Sequence, residues 1–244
     1  RGSGTIFFSH CNLACVYCQN YKISHRCVGT EYDANDMARL MLDLQSRGAH
    51  NINLVTAMHF TPVVAHAIER AKQEGLAVPV VWNSNAYELP ETLRMVEGLV
   101  DIYLPDFRYW NEETAQKYSS APKYPEIARR AILEMHRQVG QIQLRDGLAT
   151  RGLLVRILLL PEHVSEAISI LEWIASALGN ETYISLMGQY YPAHRATHFP
   201  KINRPIRADE YQRFLEAAEH FGFENGFLQE VGSSAAYTPE FWEG

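Results

Sequence analysis

Short apolar segments alternate with longer amphipathic segments along almost the whole chain. Between the first two apolar segments, Met37, Leu40, Met41 and Leu44 occupy positions i, i+3, i+4 and i+7, which form one face of a helix. The apolar segments have the length of strands and are apolar on both faces, as buried parallel strands are. Repeated alternation of this kind predicts a parallel sheet whose strands are joined by right-handed crossovers.

The pattern predicts an α/β fold in a single domain, residues 1–244. The predicted strands are 4–9, 51–55, 78–82, 100–106, 153–161, 182–188 and 226–230. The predicted helices are 33–47, 62–75, 90–98, 124–139, 165–179 and 208–222. About six strand–helix units fall short of the eight in a closed TIM barrel, so we expect a partial (β/α) barrel, with a doubly wound sheet as the alternative. The polar segment 107–123 is expected to cover the rim.

Charge and hydropathy exclude several classes of protein. The net charge is −6 and no Lys/Arg-rich block occurs, so a nucleic-acid-binding surface is not expected. No apolar run approaches the roughly 18–20 residues that span a bilayer. The longest run, 153–161, contains Arg156 and has the length of a strand. We therefore expect neither a nucleic-acid partner nor a membrane segment.

Three of the four cysteines lie within one short loop, at Cys11, Cys15 and Cys18, directly after the first predicted strand. Clustered cysteines of this kind indicate a metal or redox site in a reduced compartment, so we expect a cytoplasmic protein. Three thiolates suit an iron–sulfur cluster, or a structural zinc ion that has a fourth ligand. Candidates for that fourth ligand are His10, His25 and Cys27. The tight single loop favours the cluster.

The loop reads Cys11-Asn-Leu-Ala-Cys15-Val-Tyr17-Cys18 and resembles the signature of the radical S-adenosylmethionine (SAM) enzymes. The segments GTIFFSHCNLACVYCQNYKIS, NINLV, VDIYLPDF and YISLMGQYYPAH are similar to a branch related to pyruvate formate-lyase activating enzyme, a glycyl-radical activase. This resemblance implies a partial (β/α)6 barrel, in agreement with the strand pattern.

The resemblance also implies the chemistry. Cys11, Cys15 and Cys18 would hold one 4Fe–4S cluster whose free iron binds the amino and carboxylate groups of SAM. One electron, from a donor such as flavodoxin or ferredoxin, would cleave SAM to methionine and a 5′-deoxyadenosyl radical that removes hydrogen from the substrate. No second cysteine cluster follows in the sequence, so a second iron–sulfur cluster is not expected.

Further cofactor-binding residues are implied near the cysteine loop. Tyr17 matches the aromatic residue that packs against adenine, and Asn20 is expected to cap the turn and to approach the cluster or the adenine. After the second strand the family has a Gly-Gly-Glu stretch that binds the SAM amino group. This chain has Thr56 within the segment 55–59 and no acidic residue there, which is a departure from the family.

The third and fourth strands end in a second set of implied contacts. Asn83, Ser84 and Asn85 lie where the activases have Asp-Thr-Asn, which contacts SAM and helps to bind a monovalent cation. Asp106 matches an aspartate that contributes to the same Na⁺ or K⁺ site. Arg108 replaces a lysine, and its planar guanidinium suits two hydrogen bonds to a carboxylate. Because Asn83 lacks the charge of an aspartate, the cation site is weakened.

Two more residues are implied on later strands. Arg156 lies inside an apolar strand and needs a partner, because an unpaired buried charge is very costly. That partner is either a carboxylate of SAM or the active site, or Asp106 in a structural ion pair. Gln189 lies where the activases have a polar residue near SAM.

Three functions are compatible with these observations. The first is activation of a glycyl radical enzyme, and the second is direct radical chemistry on a small molecule or peptide. The third is a zinc-stabilised binding barrel without catalysis, because the Gly-Gly-Glu stretch is missing.

Overall fold

The computed structural model describes residues 2–229. Its strands are β1 (Gly4–Phe7), β2 (Ile52–Val55), β3 (Val80–Ser84), β4 (Ile102–Pro105), β5 (Gln143–Arg145), β6 (Leu148–Leu158), β7 (Tyr183–Met187) and β8 (Gly226–Gln229). Its helices are α1 (Tyr21–Ser24), α2 (Ala34–Ser46), α3 (Thr61–Gln73), α4 (Pro90–Arg94), α5 (Glu112–Ser119), α6 (Tyr124–Val139), α7 (Val164–Leu178) and α8 (Ala208–His220). Single 3₁₀ turns occur at Met58–Phe60, Ala196–His198 and Pro200–Ile202.

The sheet follows the order β1-β2-β3-β4-β6-β7-β8, and every pairing along this path is parallel. Each new strand along this path is added at the same edge of the sheet. Within residues 2–229, β1 and β8 do not pair with each other, so the barrel stays open on one side. The predicted α/β fold and partial barrel are confirmed. The single domain over residues 1–244 extends beyond the described residues, as does the end of the last predicted strand at residue 230, and both stay predictions.

The helices cover the sheet through the faces that the sequence pattern indicates. Asp33 precedes α2, and its carboxylate accepts a hydrogen bond of 2.8 Å from the backbone N–H of Asp36, which is a helix N-cap. In α6 the buried face consists of Ala128, Ala131, Ile132 and Met135 among others. The apolar pattern of this segment also predicts Leu133 inside, but Leu133 is exposed, because it lies outside the buried face of this helix. No helix within residues 2–229 is both long enough and apolar enough to cross a bilayer.

Two segments differ from the sequence-based expectation. The predicted strand 153–161 begins earlier, at Leu148, because its first residues pair with β5 in an antiparallel hairpin. Asp146 and Gly147 form the turn, both with positive φ, as two-residue hairpin loops require. The segment 107–123 is not merely a polar rim. It contains α5, whose Tyr118 and Ser119 are buried.

Candidate active site

A cavity of about 380 Å³ opens at the carboxyl ends of the parallel strands. This is the end of a parallel β/α fold where loops and strand termini form ligand sites. Every site residue predicted from the sequence lines this cavity: Cys11, Cys15, Tyr17, Cys18, Asn20, Thr56, Asn83, Ser84, Asn85, Asp106, Arg108, Arg156 and Gln189. The structure therefore brings the predicted residues together, while the role of each one stays a prediction.

The cysteine loop follows β1 and rests on the end of α5. The backbone N–H of Ala14 donates to the carbonyl of Ser119 at 3.0 Å, and that of Val16 donates to the carbonyl of Tyr118 at 2.8 Å. The hydroxyl of Ser119 also donates to Sγ of Cys15 at 2.9 Å. The loop is thus fixed by a helix that lies about 100 residues further along the chain.

The three thiols of the loop border the cavity and form no disulfide. Burial raises the pKa of Cys15 to about 11 and raises that of Cys11, while the positive charge of Arg108 opposes both shifts. Within residues 2–229, no three His, Cys, Asp or Glu side chains form a group able to hold one metal ion. The thiols line a cavity wall instead, and thiolates are the ligands that iron–sulfur clusters prefer.

The candidates for a fourth zinc ligand lie elsewhere. Sγ of Cys27 is 3.0 Å from Nδ1 of His10, and both residues are exposed. The ring of His25 packs against the ring of His194, with 5.0 Å between ring centroids. None of the three candidates is among the residues that line the cavity in the described part of the chain.

Two polar residues next to the loop present unsatisfied acceptors. The side-chain oxygen of Asn20 is buried and has no hydrogen-bond partner in the described structure, and the same holds for the side-chain oxygen of Gln189. The prediction that Asn20 caps the turn is wrong, because its side chain makes no cap hydrogen bond. Its backbone carbonyl accepts from the N–H of Ile23 and from the hydroxyl of Ser24.

Opposite the loop, the ends of β3, β4 and β6 form a charged network. Asp106 is only 6% exposed, and its two carboxylate oxygens face different arginines. Nε of Arg156 lies 2.6 Å from Oδ1, and Nη2 of Arg108 lies 2.5 Å from Oδ2. Arg156 also donates from Nη2 to Oδ1 of Asn83 at 2.7 Å. Of the two partners considered for Arg156, the structure provides the ion pair with Asp106.

This network does not fit a monovalent cation. A Na⁺ or K⁺ site needs several oxygen ligands that are free to face the ion, and nearby positive charge disfavours it. Oδ2 of Asp106 accepts from Arg108, Oδ1 lies 2.6 Å from Nε of Arg156 in an ion pair without hydrogen-bond geometry, and the oxygen of Asn83 accepts from Arg156. Two positive charges around one carboxylate leave an excess of positive charge at this wall. Burial lowers the pKa of Arg108, but Asp106, Cys15, Tyr17 and Tyr124 together more than offset this and hold that pKa well above its ordinary value.

A buried carboxyl group behind this wall was not predicted. Glu88 is 5% exposed and accepts from Nε1 of Trp82 at 3.1 Å and from the hydroxyl of Ser84. Burial raises the pKa of Glu88 to about 7, although both hydrogen bonds oppose the shift. The hydroxyl of Ser84 also accepts from the N–H of Ala86 at 2.8 Å, while its own proton is donated to Glu88. The sequence shows Glu88 as a single acidic residue in the loop after β3, but it belongs to no periodic pattern that would predict its burial.

Asn85 connects the two walls of the cavity, which are the cysteine loop and the charged ends of β3, β4 and β6. Its Nδ2 donates to Oδ1 of Asn12 at 2.7 Å and lies 3.6 Å from Sγ of Cys11, while its Oδ1 accepts from the N–H of Tyr87. Thr56 enters the cavity lining from a backbone with φ of 63°, and its N–H donates to the carbonyl of Asn83 at 2.9 Å. No carboxylate replaces the missing glutamate at this position of the lining.

Comparison with protein families decides which family this site belongs to. Residues 5–174 match the family model described as "Radical SAM superfamily". The chain belongs to the radical SAM superfamily. The resemblance inferred from the cysteine loop is confirmed at this level, whereas the narrower likeness to the activase branch stays a prediction.

A relative and several solved structures are similar to this radical SAM chain. The uncharacterized protein MJ0674 of Methanocaldococcus jannaschii is 29% identical over 232 residues, which are 91% of this chain and 63% of that protein. Streptococcus suis SuiB, in a crystal structure bound to S-adenosylmethionine, has a TM-score of 0.68 at 11% identity, over 99% of this chain and 54% of SuiB. This chain therefore spans less than two thirds of either protein.

A crystal structure of a domain of pyruvate-formate lyase-activating enzyme from Bacteroides vulgatus has a TM-score of 0.51 at 14% identity, over 71% of this chain and 93% of that domain. The hydrogenase maturase HydG from Carboxydothermus hydrogenoformans has a TM-score of 0.63 at 12% identity, over 93% of this chain and 53% of HydG. At these identities the likeness concerns the fold alone. This chain thus shares its fold with parts of these three proteins.

The donor set of this radical SAM chain fits the cofactors of its family. Three thiols border the cavity, and unpaired acceptors of Asn20 and Gln189 line the same space. Buried polar groups without partners are rare in folded proteins and indicate a ligand or ordered water. The adenine amino group and the ammonium group of SAM are donors of the kind that these acceptors lack.

Proposed function

We propose that this chain is the catalytic domain of a radical SAM enzyme, with a 4Fe–4S cluster on Cys11, Cys15 and Cys18 and SAM in the adjoining cavity. The observation that carries the proposal is that three thiols and the polar ends of several strands line one cavity. When bound and reduced, the cluster supplies one electron to SAM, which yields the 5′-deoxyadenosyl radical that removes hydrogen from a substrate. A small electron-transfer protein such as flavodoxin or ferredoxin is the proposed source of that electron.

The residues around the cavity have defined tasks in this proposal. The excess positive charge of Arg108 and Arg156 attracts the carboxylate of SAM, because a guanidinium can form two hydrogen bonds to a carboxylate. Asn20 and Gln189 accept hydrogen bonds from amino groups of the cofactor. Tyr17, which is 4% exposed and has its ring edge against Tyr190, forms an apolar surface for adenine.

Two cysteine variants test the proposal with a matched control. The protein is reconstituted anaerobically with iron and sulfide, reduced, and supplied with SAM, and 5′-deoxyadenosine is then measured. Wild type and Cys27→Ala are expected to bind iron and sulfide and to form the product. Cys15→Ala is expected to lose both, because its thiol lies in the cavity and that of Cys27 does not. Zinc without iron in anaerobically prepared protein would instead support a zinc-stabilised barrel.

For the substrate, we propose activation of a glycyl radical enzyme. The support is the resemblance of the cysteine loop and of several strand segments to the activase branch. The open side of the barrel between β1 and β8 provides room for a loop of a partner protein. Incubation of reduced enzyme, SAM and a glycyl radical enzyme is expected to give a glycyl radical signal in electron paramagnetic resonance. Absence of the signal with every glycyl radical enzyme encoded nearby would argue against this assignment.

Direct chemistry on a small molecule or peptide is the second candidate. It is favoured by the departures at the cofactor wall, where Asn83 replaces an aspartate and the segment 55–59 lacks a carboxylate. These changes separate the chain from the activase pattern without identifying a substrate. Transfer of deuterium from a labelled small molecule or peptide into 5′-deoxyadenosine would support this candidate over the activase.

A further inference from the structure

A continuous chain of buried hydroxyl groups leads to one of the three thiols. The hydroxyl of Tyr17 is 2.6 Å from that of Tyr109, which is 2.6 Å from that of Ser119, which is 2.9 Å from Sγ of Cys15. Tyr109 and Ser119 are fully buried. This hydrogen-bond chain joins the cysteine loop, the segment after β4 and the end of α5. Its members are far apart in sequence, so only folding brings them together.

The direction of these hydrogen bonds follows from proton counting. A cysteine that binds metal is deprotonated, so its sulfur only accepts. Each hydroxyl has one proton to donate. Ser119 must therefore donate to Cys15, Tyr109 must donate to Ser119, and Tyr17 must donate to Tyr109. The hydrogen-bond chain thus begins at the hydroxyl of Tyr17 and ends at a thiolate, with every member oriented the same way.

Neither of the other two thiols lies at the end of such a chain of hydroxyl groups. Sγ of Cys11 accepts from the N–H of Leu13 at 3.4 Å and from Nδ2 of Asn85 at 3.6 Å, so both of its donors are nitrogen groups. Sγ of Cys18 is 3.2 Å from the hydroxyl of Ser24, but that hydroxyl directs its proton to the carbonyl of Asn20. The shortest donated contact therefore falls on Cys15, and hydrogen bonds in an aligned chain strengthen one another.

We propose that Ser119 is a positioning residue that raises the reduction potential of the cluster through its hydrogen bond to Cys15, and that Tyr109 and Tyr17 polarise this donor. This inference rests on the proposed cluster. Reduction adds negative charge to a cluster, and hydrogen bonds to its sulfur ligands stabilise that charge. The hydrogen-bond chain would then adjust how readily the cluster accepts the electron that SAM cleavage requires.

The test is a redox titration of the reconstituted protein in which electron paramagnetic resonance measures the reduced cluster at each potential. Ser119→Ala is expected to move the midpoint potential to a more negative value. Tyr109→Phe, which keeps the ring but removes the hydroxyl that donates to Ser119, is expected to give a smaller shift of the same sign. Ser24→Ala is the matched control, since its serine lies beside Cys18 but gives its proton to a backbone carbonyl, and no shift is expected.

A second readout does not depend on the potential. Pulsed electron paramagnetic resonance after exchange into heavy water detects exchangeable hydrogens close to the cluster. The coupling from the Ser119 hydroxyl is expected in wild type and Ser24→Ala and is expected to be missing in Ser119→Ala. Tyr109→Phe retains that coupling, which also provides a folded variant if Ser119→Ala is unstable.

The outcomes separate this inference from the proposed function. If wild type forms no iron–sulfur cluster, the proposed function fails and the inference fails with it. If wild type and Ser119→Ala both form the cluster with equal midpoint potentials, only the inference is overturned. Equal shifts in Ser119→Ala and Ser24→Ala would also overturn it, because any hydroxyl near the loop would then have the same effect.

Discussion

The two walls of the cavity, the cysteine loop and the charged strand ends, differ in how their polar groups are satisfied. In the loop, the sulfur atoms of Cys11 and Cys18 have only neutral hydrogen-bond partners, and their thiols border the cavity. In the opposite wall, Asp106 is paired with two arginines, and the oxygen of Asn83 is taken by one of them. The loop thus keeps its ligands available for a cofactor. The strand ends instead present a pair of guanidinium groups around one carboxylate, an arrangement that favours an anion.

The largest expected difference between the walls concerns cofactor loading of the loop. A ligand that binds only the folded state stabilises it by about 4 kcal/mol when present at a thousand times its dissociation constant. Cluster loading is therefore expected to raise the thermal unfolding midpoint of wild type and of Cys27→Ala, but not that of Cys15→Ala. Anaerobic calorimetry before and after reconstitution measures this shift. An equal rise in Cys15→Ala would show that the cluster binds outside this loop.

The charged wall is expected to stabilise the fold without any cofactor. Asp106→Asn removes the negative charge between Arg108 and Arg156 and leaves two guanidinium groups without a counter-ion. Breaking a pair that is mostly buried is expected to lower the free energy of unfolding by about 3 kcal/mol. Urea denaturation of the cluster-free protein measures the loss.

Asp209→Asn is the matched control for that variant. Its carboxylate pairs with Arg207 at 3.1 Å on the exposed surface, where such pairs contribute about 0–1 kcal/mol. If both variants lose equally little stability, the strand-end network is not a structural element, and the contrast between the two walls does not hold.

Glu88 makes the charged wall sensitive to pH. Its pKa is about 7 in the folded protein, because of burial, and lies near the ordinary 4.5 in the unfolded chain. Between these values the folded state binds the extra proton, so the free energy of unfolding falls as pH rises from about 5 to 8. The shift corresponds to at most about 3 kcal/mol. In Glu88→Gln this part of the pH dependence is expected to disappear.

Urea denaturation of wild type and Glu88→Gln at several pH values between about 5 and 8 measures the difference. Glu113→Gln, on the exposed first turn of α5, controls for the loss of one negative charge. A constant difference between wild type and Glu88→Gln over this range would mean that Glu88 does not titrate there.

The smallest expected effect is on the affinity for SAM, in a variant that restores the carboxylate of the activase pattern. Asn83→Asp places a second negative charge beside Arg156 and cancels the positive excess of the wall. Affinity for SAM is expected to fall about tenfold, or ~1.4 kcal/mol. Calorimetric titration of SAM into reconstituted protein measures the change, with Asn111→Asp on an exposed loop as the control. Tighter binding that depends on Na⁺ or K⁺ would show that this wall still functions as a cation site.

The sequence was most informative where its signal is local. The period of apolar residues predicted the parallel strands, and the spacing of Cys11, Cys15 and Cys18 placed a cofactor loop after the first one. Residues at strand ends could also be predicted to meet, because the carboxyl ends of parallel strands lie at one edge. The sequence did not predict Glu88, which belongs to no periodic pattern. It also missed the buried role of α5, because the surrounding segment is polar.

The cysteine spacing and the strand–helix alternation are properties of residues close together in the chain, so the sequence by itself determined the cysteine loop and the parallel α/β class. The choice of an open barrel over a doubly wound sheet was made by the strand order of the tertiary structure. The partner of Arg156, the hydrogen-bond chain from Tyr17 to Cys15 and the loss of a free carboxylate at Asp106 were decided only by the tertiary structure. Each joins groups that are distant in sequence, and a buried polar group accepts whichever partner the fold places within hydrogen-bond distance. Local patterns contain no information on that choice.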